Sequence, residues 1–439
     1  MQSRLDKPSR RAFPALLAAI AIALGLSSCS VERQGPSTIW TDSPELALYA
    51  ELFNASQGRY RVEVRWKENI AEALRGSKST PDLVVGRYLK SSATRDRFQA
   101  LDYLFGELTV DQSSFYAPLL ALGNTGGRQL LLPVSFDLPA IVFARGSGAN
   151  AAGKFLLSLD DLTAEAKAFN QQKNASFTRM GFAPRWDPSF LVCVAEASGA
   201  GFREGKNLAW NEGSLDKALG RLQAWTASVN GSSSAEDDFQ FKYLYTPAYK
   251  YLADGRALFA CMEGSSFFLV PEEKRSGLDY RWYAEGGIVP LSEGVVFAAI
   301  PRAGRDKAAA EAFLKWFYRE DSQKLMLEEA RKSRSIEGSF GIAGGFSAVR
   351  PVTEKVFPLY YPSLVGHLPP AEGLAGPEAL PSDWEGIKAK VLEPWILEAT
   401  ATPASSSPTG AAAQGGAQAP AQKPGELLSA RLAGWYKNR

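Results

Sequence analysis

Past residue 37, the apolar positions of this chain switch between two spacings. Thr38-Ile39-Trp40 reads as a short strand, and Leu46, Tyr49, Ala50 and Phe53 follow at the i, i+3, i+4, i+7 spacing of one buried helical face. Ser43-Pro44 supplies the start signal, because proline is preset for a first helical turn. Val62, Val64 and Trp66 then alternate with Arg61, Glu63 and Arg65, the period of two expected of a half-buried strand. A helical stretch near residues 70–74 leads into Asp82-Leu83-Val84-Val85, a continuous apolar strand. This βαβαβ rhythm predicts a parallel sheet with helices on its faces. Ligands of such sheets sit beyond the carboxyl ends of the strands, where Trp40-Thr41-Asp42 and Gly86-Arg87-Tyr88 fall.

The middle of the chain repeats the style. Residues 130–134 and 140–143 are strand-like and broken by Pro133 and Pro139. Leu215, Ala218, Leu219 and Leu222 mark an amphipathic helix, and Ala309, Ala312, Phe313 and Trp316 mark another that begins near Asp306. Gly123-Asn124-Thr125-Gly126-Gly127 lacks the Gly-Lys-Ser/Thr of a phosphate loop and reads as a turn. Residues 401–424 are rich in Ala, Pro, Ser, Gly and Gln, cannot bury a core, and read as a flexible linker. A short amphipathic helix with Leu427, Leu428, Leu432 and Trp435 is predicted beyond it.

The first 29 residues read as an export and anchoring address. Arg4, Lys7, Arg10 and Arg11 precede an apolar run over residues 13–26, which ends in Leu26-Ser27-Ser28-Cys29. The run is short for a membrane span. Its end resembles a bacterial lipobox, which implies cleavage after residue 28 and lipid on the Cys29 sulfur. Residues 29–36 would then be a tether holding the folded part off a bacterial membrane, facing the periplasm or the outside. Without residues 1–28 the chain carries 45 basic against 46 acidic residues, which argues against a strongly basic nucleic-acid binder. Cys193 and Cys261 remain, able to pair in an oxidising compartment or to stay as buried thiols.

Five segments in order resemble the extracellular solute-binding proteins of ABC transporters, the maltodextrin-binding-like group. They are the opening "TIWTDSPELALYAELFNASQGRYRVEVRW" with "TPDLVVGRYL", then "LLPVSFDLPAIVFAR", "YLADGRALFACMEGSSFF", "EGGIVPLSEGVVFAAIPRAGRDKAAAEAFLKWFYREDSQKLM" and "GGFSAVRPV". The resemblance covers about residues 38–400 and implies an α/β fold of two discontinuous lobes joined by a hinge, the type II periplasmic-binding-protein-like fold. The expected first lobe is 37–140 with 288–331, and the second is 141–287 with 332–400. Residues 401–424 form the linker and 425–439 the tail. The implied partners are a small solute of the sugar or oligosaccharide class, the permease subunits of an importer, and the membrane through the lipid anchor. A monomer without cofactor or metal is expected.

Sugar recognition needs flat apolar faces for the rings and planar polar groups for the hydroxyl rim. By position in the resemblance, the candidate ligand residues are Trp40, Asp42, Tyr88, Asp137, Trp186, Glu263 and Trp384. Trp384 falls where the family often carries a stacking aromatic, and charge flanking Trp186 and Trp384 argues against burial. Asp42 fits equally well as the cap of the helix that follows, with Glu45 completing a capping box, and Trp40 fits equally well in the core. Asp82 reads as structural. Ser265 and Ser266 stand where sugar binders of this group often place a Trp, which argues against a long oligosaccharide. The one histidine, His367, removes HExxH zinc sites and makes Ser-His-Asp chemistry a poor reading; it is expected in a surface loop. A surface lipoprotein for adhesion or sensing, or a two-carboxylate glycosidase, are the readings from other classes.

Overall fold

In the computed structural model, which describes residues 35–106, 109–147, 149–333, 338–403 and 423–438, the chain begins as its periodicity predicts. Strand β1 (Ser37–Thr41) leads to helix α1 (Leu46–Ser56), β2 (Val62–Trp66), α2 (Ile70–Gly76) and β3 (Leu83–Gly86). The buried face of α1 is Leu46, Tyr49, Ala50 and Phe53. Asp42 does not cap that helix: its N-cap is Glu45, which makes no capping bond.

Later elements complete two sheets. They are β4 (Leu132–Phe136), β5 (Pro139–Ala144), β6 (Leu156–Leu157), α3 (Pro188–Ala197), α4 (Glu212–Val229), β7 (Phe259–Glu263) and β8 (Leu278–Tyr283). After them come β9 (Val289–Pro290), β10 (Val296–Ala299), α5 (Lys307–Phe317), α6 (Glu320–Lys332), β11 (Phe346–Ser347) and β12 (Leu374–Ala375). The chain closes with α7 (Trp384–Ile387), a π-helical turn at Lys388–Leu392, α8 (Glu393–Ala399) and α9 (Pro424–Lys437). The first sheet runs β11-β4-β10-β3-β1-β2, with β1 parallel to β2 and β3 and the remaining pairs antiparallel. The second runs β7-β5-β8-β6. Each sheet with its helices is one lobe, and Ser37 onward forms a single compact unit.

One expected boundary is corrected. The expected second lobe includes 332–400, yet Phe346 and Ser347 pair with Phe136 and Ser135 in the first sheet. Phe340, Phe346 and Phe357 pack there too, because an apolar strand finds its partner at the open edge of β4. The predicted signal segment, Cys29 and most of the tether and linker lie outside the described residues. Among the described residues no helix is long and apolar enough to cross a membrane. Cys193 and Cys261 are free thiols, and the glycine-rich stretch at 123–127 opens a hairpin, Asn124–Thr125 against Arg128–Gln129. His367 lies in a loop, as expected, but is half-buried there, and its carbonyl accepts from the Tyr280 hydroxyl and the Trp282 indole, both at 3.1 Å.

The lobes meet where β4 passes into β5 through Asp137-Leu138. The Asp137 carboxylate accepts from the Leu138 amide at 2.8 Å and the Ser265 amide at 3.1 Å, and its carbonyl accepts from the Ser292 amide at 3.0 Å. Gly264 is required beside it, since an added Cβ would stand 2.9 Å from both Asp137 Oδ1 and the Trp282 ring. Around this knot, Phe268 stacks on Phe340 at 4.8 Å and meets Tyr280 of β8 and Phe346 of β11. The junction is therefore a packed aromatic core, not a pair of bare linkers.

Asp82 fixes α5 to the first sheet. Its carboxylate, 1% exposed, accepts from the Thr38 amide at 2.9 Å and from the Arg305 and Asp306 amides at 2.7 and 2.8 Å. Replacing it strands one buried and two part-buried backbone donors, a buried one costing about 1–3 kcal/mol. Asp82→Ala is expected to lower stability by about 3 kcal/mol or more in urea unfolding, and a loss below about 1 kcal/mol would contradict this role.

Candidate ligand cleft between the lobes

The carboxyl ends of β1, β2 and β3 open on one side of the first sheet, as the parallel order requires. Asp42 follows β1, Trp66 ends β2, and Arg87 and Tyr88 follow β3. Across from them stand Ser382, Asp383, Glu385, Gly386 and Lys390 of the second lobe, and the space between is a cleft of about 1090 Å³. That is ample for a small solute. Trp66 is 60% exposed there. Its place at the end of an alternating strand suggests an inward side chain, but β2 is the edge of the sheet and its last residues run clear of the core.

Three contacts tie the walls together. The Tyr88 hydroxyl donates to Glu385 Oε1 at 2.8 Å, Arg87 Nη1 lies 3.6 Å from the same oxygen, and the Asn69 side-chain Nδ2 donates to the Ser382 carbonyl at 3.3 Å. On another edge Glu204 accepts from the Ser92 amide and hydroxyl at 2.7 and 2.8 Å. Tyr88 holds φ 56°, a left-handed backbone uncommon for a side chain of this size and the kind of strain that collects at ligand clamps. Asp42 accepts from the Arg87 amide at 3.2 Å, and burial raises its pKa against the opposing pull of Arg87. Burial, then Glu385, holds the Tyr88 phenol well above its ordinary range. Tyr88 is thus a lasting hydrogen-bond donor at the cleft.

A smaller cavity of about 130 Å³ lies at the junction, lined by Glu196, Glu263, Glu293 and Lys388 among others. It is far smaller than the cleft. Lys388 Nζ stands 2.9 Å from Glu293, and Ser292 donates to Glu263. Burial and the neighbouring Asp137 push the Glu263 carboxyl up, and burial raises Glu196 to about 7.

The sequence candidates divide. Asp42 and Tyr88 line the large cleft, and Glu263 lines the small cavity. Asp137 spends its carboxylate on the junction. Trp40, 2% exposed, is in the core with Lys67 Nζ 4.9 Å over its ring. Trp384, 0% exposed, packs toward Phe202 in the second-lobe core, because the turn at 381–384 tucks the indole under the charged flank. Trp186 stacks on Phe239 at 5.5 Å and lines a separate pocket with Tyr243 and Tyr251. Phe267 and Phe268, which follow the two serines, are buried in the junction. Trp66, Arg87 and Glu385 are among the cleft residues that the candidates did not include. Position beyond β2 and β3 was the available signal for the first two; nothing local marks Glu385. Among the described residues, no group of three or more His, Cys, Asp or Glu side chains is set to hold a metal ion.

No protein-family model and no curated protein sequence matches the chain. Solved structures do. A cyclic alpha-maltosyl-1,6-maltose binding protein from Arthrobacter globiformis aligns with TM-score 0.58 at 15% identity, over 91% of this chain and 98% of that one. An ABC substrate-binding protein from Listeria monocytogenes in complex with cycloalternan gives TM-score 0.56 at 12%, over 92% and 98%. A Thermus thermophilus maltotriose binding protein gives 0.52 at 14%, over 92% and 99%. At these identities the likeness is one of fold: the chain has the two-lobed architecture of the solute-binding proteins of ABC transporters.

The small cavity makes a pH prediction. A carboxyl whose folded pKa of about 7 lies above its ordinary 4.5 binds its proton more tightly in the native state, so its stabilisation is full below pH 4.5 and is lost by about pH 7. Glu196→Gln, which can still accept from the Phe202 amide, should therefore gain on the parent protein by up to ~3 kcal/mol as pH rises through that window. Urea unfolding of both proteins at pH 4.5 and 7.5 reads the difference; parallel pH profiles would contradict it.

Proposed function

We propose that the protein captures a small carbohydrate in the cleft between its lobes and delivers it, from a lipid anchor at Cys29, to the permease of an ABC importer. The observation that carries this reading is the cleft itself. One wall offers the exposed indole of Trp66 beside Asp42, Arg87 and Tyr88, the other offers Glu385 and Lys390, and the fold is one whose solved relatives include proteins crystallised with sugars. An indole face suits a pyranose ring, and the carboxylates and guanidinium suit its hydroxyls. Closure by hinge motion is the known repertoire of such folds, and the Tyr88–Glu385 bond is a contact that closing makes and opening breaks. Capture and release need no bond chemistry, so the reading is of a binding protein and not an enzyme.

A thermal-shift panel of maltotriose, mannotriose, smaller sugars, amino acids and oxyanions tests the ligand class. A sugar at 100 times its Kd adds about 2.7 kcal/mol of stability, a readable rise in Tm. Trp66→Ala should weaken a sugar hit about tenfold or more, the loss of about 1.4 kcal/mol of stacking. A hit confined to amino acids or oxyanions, or one indifferent to Trp66, would sink the carbohydrate reading. For the anchor, Cys29→Ser is expected to move the protein from the membrane to the soluble fraction on cell fractionation; an unchanged membrane share would refute lipidation there.

A further inference from the structure

Helix α9 stands apart from the lobes in sequence, behind residues 404–422, yet it is built into the second lobe. Leu428 and Leu432, one turn apart, are 0% and 1% exposed in the second-lobe core. The Trp395 indole donates to the Pro424 carbonyl at 3.2 Å, and Arg431 pairs with Glu398. These contacts fix the start and middle of the helix against α8 and the π-helical turn. Its far end then reaches the cleft, where Trp435 and Asn438 line the wall that includes Gly386 and Lys390.

Trp435 is half-buried, its inner side packed on the second-lobe core. Gly386 makes room for it: a Cβ there would stand 3.3 Å from Trp435 Cζ2. The indole that position alone would assign to this wall, Trp384, is sealed in the core. The indole the cleft does hold on the second-lobe side comes from the C-terminal helix, and Trp66 holds the first-lobe side.

We infer that α9 is a wall of the ligand site and that Trp435 is a stacking platform for a sugar ring, opposite Trp66. This deepens the carbohydrate reading and rests on it. A ring between two indoles is recognised by its flat apolar faces, so the site selects pyranosides over linear polyols. The tail is then part of the receptor's specificity and not an appendage to it.

The test uses the full-length protein in detergent, with maltotriose and mannotriose as probes in isothermal titration. Trp435→Ala should weaken binding tenfold or more while Trp435→Phe stays within about threefold of the parent. Oxidative footprinting of the unaltered protein, read by mass spectrometry, should show Trp435 protected by saturating sugar; it decides the matter on its own where a variant fails to fold. Tight binding by the parent with less than twofold loss in Trp435→Ala, or unchanged oxidation of Trp435 with sugar bound, overturns the role of the helix and leaves the carbohydrate reading standing. Failure of the parent to bind either sugar overturns both together.

Discussion

Two sheets of different topology meet at one junction, where the backbone and side chain of Asp137 are tied by amides beside a packed aromatic core. Asp137 takes backbone amides from Leu138 and Ser265 on its side chain and from Ser292 on its carbonyl, so two crossings between the sheets and the segment after β7 meet at one residue. Removal of that carboxyl from water raises its pKa, and the amides that point at it offset part of the cost. The aromatic cluster around Phe268, Phe340 and Phe346 then fills the space that the knot leaves. The cleft inherits its shape from this arrangement, since the ends of β1 to β3 can face α7 and α9 only if the sheets are set at this junction.

The junction also separates two polar environments. Near it, Glu196 and Glu263 sit with Lys388 around the smaller cavity, and burial raises the pKa of both carboxyls. Farther out, the cleft is wide, its charged groups are exposed, and its lobe-to-lobe bonds run through Tyr88, Arg87 and Glu385. Exposed ion pairs of this kind contribute little to stability. That suits contacts that must form and break as a solute comes and goes.

Much of the fold was legible in the chain because local periodicity and burial agree. The face of α1 and the apolar run of β3 are read directly from spacing, and Asp82 at the head of β3 is structural as expected. The site was legible only in part, because the relevant question was which aromatics stay exposed. Charge beside Trp384 argued for exposure, but a tight turn buries it; Trp186 stays part-exposed, stacked on Phe239 from the helix Ser233–Lys242 in a pocket of its own. Trp66 looked like an inward strand residue and is exposed, because it ends an edge strand. Trp435 read as part of a helix's apolar face, and its distance in sequence from every other cleft residue hid where that helix docks. The late return to the second lobe was missed for a similar reason, since a two-residue strand at 346–347 declares its sheet only through its partner.

The function of this fold depends on where a solute sits. A crystal structure of the protein grown with the saccharide that raises its Tm most would show this directly. The expected result is a sugar ring in the cleft between the lobes, stacked on Trp66 and hydrogen-bonded by Asp42 or Tyr88. Ordered sugar elsewhere on the molecule, with this cleft holding only water, would contradict the claim that the cleft is the binding site.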